Sequence, residues 1–391
     1  MHGLKQLPRS VWLIGLISLL NDTASEMVYP LLPLLLVGVL GAGPRILGLI
    51  EGLAEALSAL LKLASGVLSD RRGRSKPWIV TGYALAALAR PLMALAGHWS
   101  AVAGLRLLDR VGKGLRSAPR DALLAGSVEP GQRGLAFGLH RAMDNLGAVL
   151  GPLLAWLLLA RGVGVSELFR WTGVAGVACV LMALMLREPP AAAAAERAGF
   201  DWRWSRLPAR LRRYLLVLAL FQLGNSANLF LLLRASELGV ADAHVALYWA
   251  LASGVAVLFG IPASRWSDHV PRHRLLIGGW SIYALLYLGF GLASNVALLP
   301  WLFAGFGLYL ALTEGAEKAL VADLAGAARG TAYGWFHLIG GLTLLLASLL
   351  MGALWQALGA LPAFGVAAAL ALAAAASLPW ALRQHPADHP G

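Results

Sequence analysis

The stretch GVLSDRRGRSK at residues 66–76 lies between two long apolar runs, so it reads as a short loop joining two membrane helices. It returns 198 residues later as SRWSDHVPRHR at residues 264–274. In both copies a small residue (Gly66, Ser264) stands four positions before an aspartate (Asp70, Asp268). A turn former (Gly73, Pro271) follows the aspartate by three, and bases (Arg74 and Lys76, Arg272 and Arg274) follow by four and six. A second loop repeats at almost the same offset: RGLAFG at 133–138 matches RGTAYG at 329–334. Two different loops returning together imply a chain built as two copies of one membrane unit.

Composition supports this reading. Of 391 residues, 59% are hydrophobic and 13% charged, against about 25% charged in a soluble domain. The net charge of +12 does not point to nucleic acid, because the bases are spread over loops on one side of the membrane. A single cysteine, Cys179, excludes a disulfide or a thiolate metal site within one chain. The basic head (Lys5, Arg9) and apolar run of the N-terminus lack a clean cleavage site, so they read as a retained first helix.

Spanning segments fall at about 11–38, 46–69, 77–97, 99–119, 134–160, 167–186, 214–234, 243–265, 275–293, 297–320, 330–356 and 361–381. The expected fold is therefore all-α, with twelve transmembrane helices in two pseudo-symmetric six-helix bundles, residues 1–187 and 214–391. A polar linker, 188–213, joins them; its Trp202, Trp204 and the five arginines from Arg203 to Arg213 suit a segment lying on the membrane surface. The termini and even-numbered connections hold 21 Lys and Arg, and the opposite side holds four. This bias predicts that both termini are cytoplasmic. Compactness and short loops point to a bacterial inner membrane.

Fifteen charges fall within spans: Asp22, Glu26, Glu51, Glu55, Lys62, Arg90, Arg106, Asp109, Arg110, Lys113, Arg141, Asp144, Glu314, Glu317 and Lys318. Each would cost roughly 3 kcal/mol facing lipid at mid-membrane, so they must face one another or water. Of these fifteen, spans 3, 6, 9 and 12 carry only Arg90, as expected of outer, lipid-facing helices.

On these residues the chain resembles the major facilitator superfamily of secondary transporters. The pattern Gly66-x-x-x-Asp70-Arg71-x-Gly73-Arg74-x-Lys76 is similar to that family's signature loop, and the resemblance covers essentially the whole chain. It implies a substrate cavity between the bundles, lined by spans 1, 4, 7 and 10. Arg110-x-x-Lys113-Gly114 resembles the family's proton-coupling Arg-x-x-Gln-Gly pattern, with Lys in place of Gln. Gly147-x-x-x-Gly151-Pro152 resembles its antiporter motif, although Ala155 and Trp156 stand where two further glycines are usual.

Roles follow for individual residues. Asp70 sits at the C-terminal end of span 2, where a carboxylate opposes the helix dipole and needs a positive partner. The free N–H groups at the start of span 11, near Gly330, would supply one, which makes Gly66, Asp70, Arg71, Gly73 and Arg74 a conformational latch. Asp268 and Arg272 form its echo. The alternative is a loop that serves only as a positive-inside anchor. Asp22 and Glu26 share one face of span 1, while Arg106 and Arg110 share a face of span 4. Carboxylates in such a cavity can exchange protons as it alternates, or can form a fixed ion pair between the two spans. Glu55 and Asp144 are either further proton sites or members of an inter-bundle polar network. Gln222, Asn225 and Asn228 in span 7, with Tyr309, Trp335 and His337, offer neutral hydrogen bonds and aromatic faces to a substrate.

The expected function is secondary active transport, namely a proton-coupled antiporter exporting a small molecule by alternating access. A proton-coupled importer of a metabolite or metal chelate is the alternative. A polytopic membrane enzyme would cluster a nucleophile and base at the lipid–water interface, and a sensor would carry a signalling domain; neither pattern is present. The eight acids and seven bases of the spans leave the substrate's charge open. No Gly-x-x-x-x-Gly-Lys-Ser/Thr occurs, so ATP is not the direct energy source. The nine histidines form no close pair within a span, so no metal site and no cofactor is expected. The partners are the lipid bilayer, a small-molecule substrate and protons, with no nucleic acid, and the chain is expected to act as a monomer.

Overall fold

A computed structural model describes residues 7–72, 74–129, 133–188, 203–325 and 329–383. At 67, 70–72, 125, 133–135, 206, 261, 264–269, 322 and 329–331 it describes the backbone alone. Among the described residues there is no strand. The first six spans are built on α1 (Arg9–Val28), α2 (Pro44–Arg72), α3 (Lys76–Leu92), α4 (Trp99–Gly126), α5 (Arg133–Ala160) and α6 (Val165–Leu184). The second six are α7 (Ala209–Gly224) with α8 (Leu229–Glu237), then α9 (Asp242–His269), α10 (Arg272–Leu292), α11 (Leu299–Leu324), α12 (Arg329–Leu358) and α13 (Ala360–Ala381). Ten spans are long and apolar enough to cross a bilayer on composition alone. The other two, α2 and α4, have 29 and 28 residues. That is about 40 Å of helix, ample for crossing, but their interiors are charged.

Two spans are interrupted. Past Val28 the first continues through a 3-10 turn at Tyr29–Leu31 and a π-helical turn at Leu34–Val39. Pro30 and Pro33 lack the N–H groups that a regular helix needs there. Span 7, expected as one helix, breaks at Asn225–Asn228. Asn and Ser side chains compete with the helix for backbone groups, and Asn225 adopts φ −94°, ψ 77°. The freed groups find partners, as the bilayer requires. The Tyr283 hydroxyl donates to Gly224 O at 2.8 Å, and Ala227 N–H donates to Ser348 Oγ at 3.2 Å.

The chain divides into two compact units, each with its own core. The first comprises residues 1–42, 53–197 and 241–250. Val11, Ile14 and Ile17 of α1 pack there with Ile79 and Tyr83 of α3 and Cys179 and Ala183 of α6. Small residues set its closest helix crossings: a Cβ on Gly82 would lie 2.5 Å from Gly112 O. Such approaches replace the hydrophobic drive that lipid removes. Val174, Val177 and Leu181 of α6 are exposed, which gives the unit an apolar face toward lipid.

The second unit comprises residues 43–52, 198–240 and 251–391. Its core is aromatic. Trp280, Tyr283, Tyr287 and Phe290 of α10 are fully or almost fully buried with Phe221 of α7, Phe303 and Phe306 of α11 and Phe364 of α13. Phe221 and Trp280 stack with ring centres 4.5 Å apart.

Candidate functional site: a charged stripe and a carboxyl pair

Arg106, Asp109, Arg110, Lys113 and Arg116 recur along one side of α4 at helical spacing. A stripe of four bases and one acid inside a span is tolerable only if neighbouring helices answer it. Arg90 reaches in from α3 and pairs with Asp109 at 2.9 Å, while Arg106 and Arg110 lie 3.4 and 3.9 Å from the same carboxylate. Arg90 also donates to Asn21 O of α1 at 3.2 Å, so one guanidinium ties α1, α3 and α4 together. On the α2 side, Glu55 pairs with Arg110 at 3.1 Å and approaches Lys113 at 4.0 Å. Arg116 donates to Gly82 O and covers the ring of Tyr83, 4.7 Å from its centre.

Among the described residues, Asp22 forms no ion pair with the bases of that stripe. Its partners are Asn21, whose amide donates at 2.8 Å, and the carboxyl of Asp144 on α5, which lies within hydrogen-bonding reach. Ser18 donates to the other side of the pair, to Asp144 at 2.5 Å. The remaining titratable groups that face it are Glu26 on α1, Tyr83 on α3, Arg116 and Arg120 on α4, His140 on α5 and Cys179 on α6. Two carboxyls this close cannot both ionise without cost. The pairing of Asp22 with an α4 arginine, open from sequence, is thus not what the structure places here. Arg106 and Arg110 answer Asp109 and Glu55 instead.

The glycine motif explains why α1 meets α5. A Cβ on Gly147 would lie 2.8 Å from Leu19 O and 3.0 Å from Asp22 Cβ, and one on Gly151 would lie 2.5 Å from Thr23 O. The motif clears the space that brings Asp144 to Asp22, with Pro152 buried beside it. Gly147→Leu is expected to force the two helices apart and destabilise the protein by about 1–3 kcal/mol. Thermal unfolding in detergent, against Gly138→Leu where a Cβ meets nothing within 4 Å, checks this.

Glu26 lies one turn beyond Asp22 and accepts from Trp249 Nε1 at 2.9 Å. Tyr29 stacks obliquely on the same indole, 5.3 Å between centres, and Arg106 stands 5.8 Å from the Tyr29 ring. Glu26 therefore sits beside the cationic stripe without an ion pair within 4.0 Å among the described residues.

Other sequence-derived residues scatter. Gln222, Asn225 and Asn228 meet at the break of span 7, where Asn225 donates to Gln222 Oε1 at 3.0 Å. Tyr309 is buried against Phe221, Tyr283 and Phe306. Trp335 packs edge-on against Trp204 at 5.0 Å, and His337 is exposed beside Phe336. Of the loop residues, Gly66 lies against Ala118 and Arg74 is exposed. The structure does not describe Gly73 or the side chains of Asp70, Arg71 and Asp268. Arg272 pairs with Asp323 and donates to Ala319 O at 2.9 Å, fastening α10 to the end of α11.

Three roles escaped the sequence reading. Asp109 centres the stripe, and its signal was a lone acid between Arg106 and Arg110. Trp249 caps Glu26 from 223 positions away, and no local signal marked it. Glu188 accepts from Ser75 N–H and Lys76 N–H, both at 2.5 Å, placing a carboxylate at the positive end of α3.

Comparison with known proteins gives a consistent picture. A family model described as Major Facilitator Superfamily matches residues 14–313 and 214–391. An uncharacterized MFS-type transporter of Methanocaldococcus jannaschii is 34% identical over 360 residues, 90% of each chain. Multidrug resistance protein MdtH of Cronobacter sakazakii is 30% identical over 338 residues, 80% of this chain and 78% of its own. Among solved structures, the nucleoside transporter NupG superposes with a TM-score of 0.80 at 12% identity, over 96% of this chain and 100% of its own.

Proposed function

The chain belongs to the Major Facilitator Superfamily, and from that premise we propose that it is a proton-coupled antiporter that exports a small molecule by alternating access. The observation that carries this reading is the Asp22–Asp144 pair. Two carboxyls face each other across α1 and α5, and no base is bonded to either among the described residues. Sealed from water, the pair holds one proton between its two carboxyls; hydrated, both can ionise and the proton leaves. A site that alternately keeps and releases one proton is what exchange requires. The fixed stripe of Arg90, Arg106, Asp109, Arg110 and Glu55 is the scaffold that holds α1 to α4 in register while the pair titrates. Glu26, capped by Trp249, is a secondary proton site.

The substrate is an amphipathic small molecule. Similarity to MdtH, a multidrug resistance protein by name, supports this, as do the neutral amides at the span 7 break. The loop at 66–76 and its echo act as the conformational latch. Transport rather than catalysis is the chain's activity, and it operates as a monomer in a bacterial inner membrane. The bundles divide as residues 1–187 and 214–391.

Two experiments test the proposal. Inside-out vesicles containing the protein, given a panel of lipophilic cations, nucleosides and organic anions, should accumulate at least one class when acid inside, and a protonophore should abolish accumulation. Accumulation only under the opposite gradient would make the protein an importer. Separately, reporters fused at residue 193 or at the C-terminus should be cytoplasmic, following the 21-to-4 bias of basic residues. A periplasmic signal at 193 would overturn the arrangement of the two bundles.

A further inference from the structure

Three membrane-region glutamates accept a hydrogen bond from an indole: Glu26 from Trp249 at 2.9 Å, Glu237 from Trp355 at 2.9 Å and Glu317 from Trp280 at 3.2 Å. Their charge surroundings differ. Glu237 has Arg234 at 3.5 Å and is exposed. Glu26 stands in the field of Lys113, Arg110 and Arg106. Glu317 is buried, and among the described residues no base lies within ion-pair distance of it.

Local packing isolates this carboxyl. Gly279 lets α11 come close to α10, since a Cβ there would lie 2.3 Å from Thr313 Cγ2. Trp280 is the next residue on α10, and Glu317 is one turn beyond Thr313 on α11, so the two side chains meet. Trp280 is stacked on Phe221, and Tyr309 lies against Phe221 in turn. Trp280 on α10 donates to Glu317, and the titratable and charged groups that face it are Tyr214 on α7 and Tyr309, Glu314 and Lys318 on α11. Lys318, the only base of that set, is engaged with Glu314 at 3.1 Å. Charge from Glu314 opposes a second negative charge nearby. An ionised carboxylate with one N–H donor and no cation, inside a membrane span, is strongly disfavoured.

We propose that Glu317 is a second proton-binding site, located in the second unit, which holds a proton while α10 and α11 are packed together and releases it when water reaches the Trp280 edge. The site is separate from the Asp22–Asp144 pair. It gives the second unit a titrating group beside the neutral hydrogen bonds and aromatic faces expected of it.

Infrared difference spectroscopy of the full-length protein in lipid nanodiscs, titrated with base, tests this directly. Besides any band of the Asp22–Asp144 pair, the wild type should show a second protonated-carboxyl stretch that disappears on alkalinisation. Glu317→Gln should remove it, Trp280→Phe should shift its frequency by removing the indole donor, and Asp22→Asn should leave it in place. Protons released per protein between the acid and alkaline states should fall by one in Glu317→Gln. If that variant does not fold, the Trp280→Phe shift and retention of the band in Glu317→Asp carry the test. A band unchanged in Glu317→Gln, or unshifted in Trp280→Phe, overturns the proposal. So does a Glu317 band that persists at every pH the fold survives, because the carboxyl would then be a fixed structural donor. Loss of the band in Asp22→Asn would assign it to the α1–α5 pair instead.

Discussion

Asp22→Asn is expected to abolish gradient-driven transport and to leave the protein folded. The amide of Asn can still hydrogen-bond to Asp144, and among the described residues no arginine is ion-paired with Asp22. Stability should therefore stay within about 1 kcal/mol of wild type. What disappears is the shared proton: with one carboxyl made permanently neutral, Asp144 has no partner with which to divide it. Flux under an acid-inside gradient should drop to that of empty vesicles. Binding of a transported compound should remain measurable and lose its dependence on pH. Asp144→Asn should behave alike, since the proton belongs to the pair. Glu26→Gln should be milder, because Trp249 and the neighbouring bases compensate that carboxyl in either form. Flux, binding and melting temperature measured on one purified preparation check all three. Intact gradient-driven flux in Asp22→Asn would move the coupling site to Glu55 or Glu26.

The largest loss of stability is expected at Asp109. It is fully buried and, among the described residues, is the only carboxylate that Arg90 meets. Asp109→Ala strands Arg90 and removes a partner of Arg106 and Arg110 inside a span. Breaking a buried ion pair from one side costs about 3–5 kcal/mol. The variant should express poorly and melt at a much lower temperature. Replacing both members, Arg90→Met with Asp109→Leu, should recover most of the loss, since an apolar pair leaves no uncompensated charge. Equal melting temperatures for wild type and Asp109→Ala would mean that the stripe is hydrated and contributes little.

Much of the architecture was legible before any coordinates. The repeat of 66–76 at 264–274 fixed two units of six spans, and charges in α2 and α4 that fail a hydropathy test still read as membrane-embedded. The break in span 7 was not legible, because leucines and phenylalanines run on both sides of Asn225–Asn228. Those asparagines attract notice as polar residues, whereas what interrupts the helix is their competition for backbone groups, together with acceptor and donor atoms from Tyr283 and Ser348.

Helical spacing showed which residues share a stripe, but not which stripe faces which. Asp22 and Arg110 both look inward on their own helices. The Cβ-free surface at Gly147 and Gly151 turns α1 onto α5, so Asp22 meets Asp144, and Arg110 is left to Glu55. Partners as distant along the chain as Glu26 and Trp249 carry no local signal at all. Trp335, an aromatic expected to face substrate, is instead packed against Trp204 of the connecting segment.

The most direct test of the account is proton release on binding. Purified protein in weakly buffered detergent, equilibrated where the carboxyl pair is protonated, is mixed with the compound that the vesicle panel identifies, and a pH indicator is followed. The account predicts that wild type releases protons as the compound binds and that Asp22→Asn binds without releasing the proton of the pair. Binding with no proton release in wild type, or with equal release in Asp22→Asn, would contradict it.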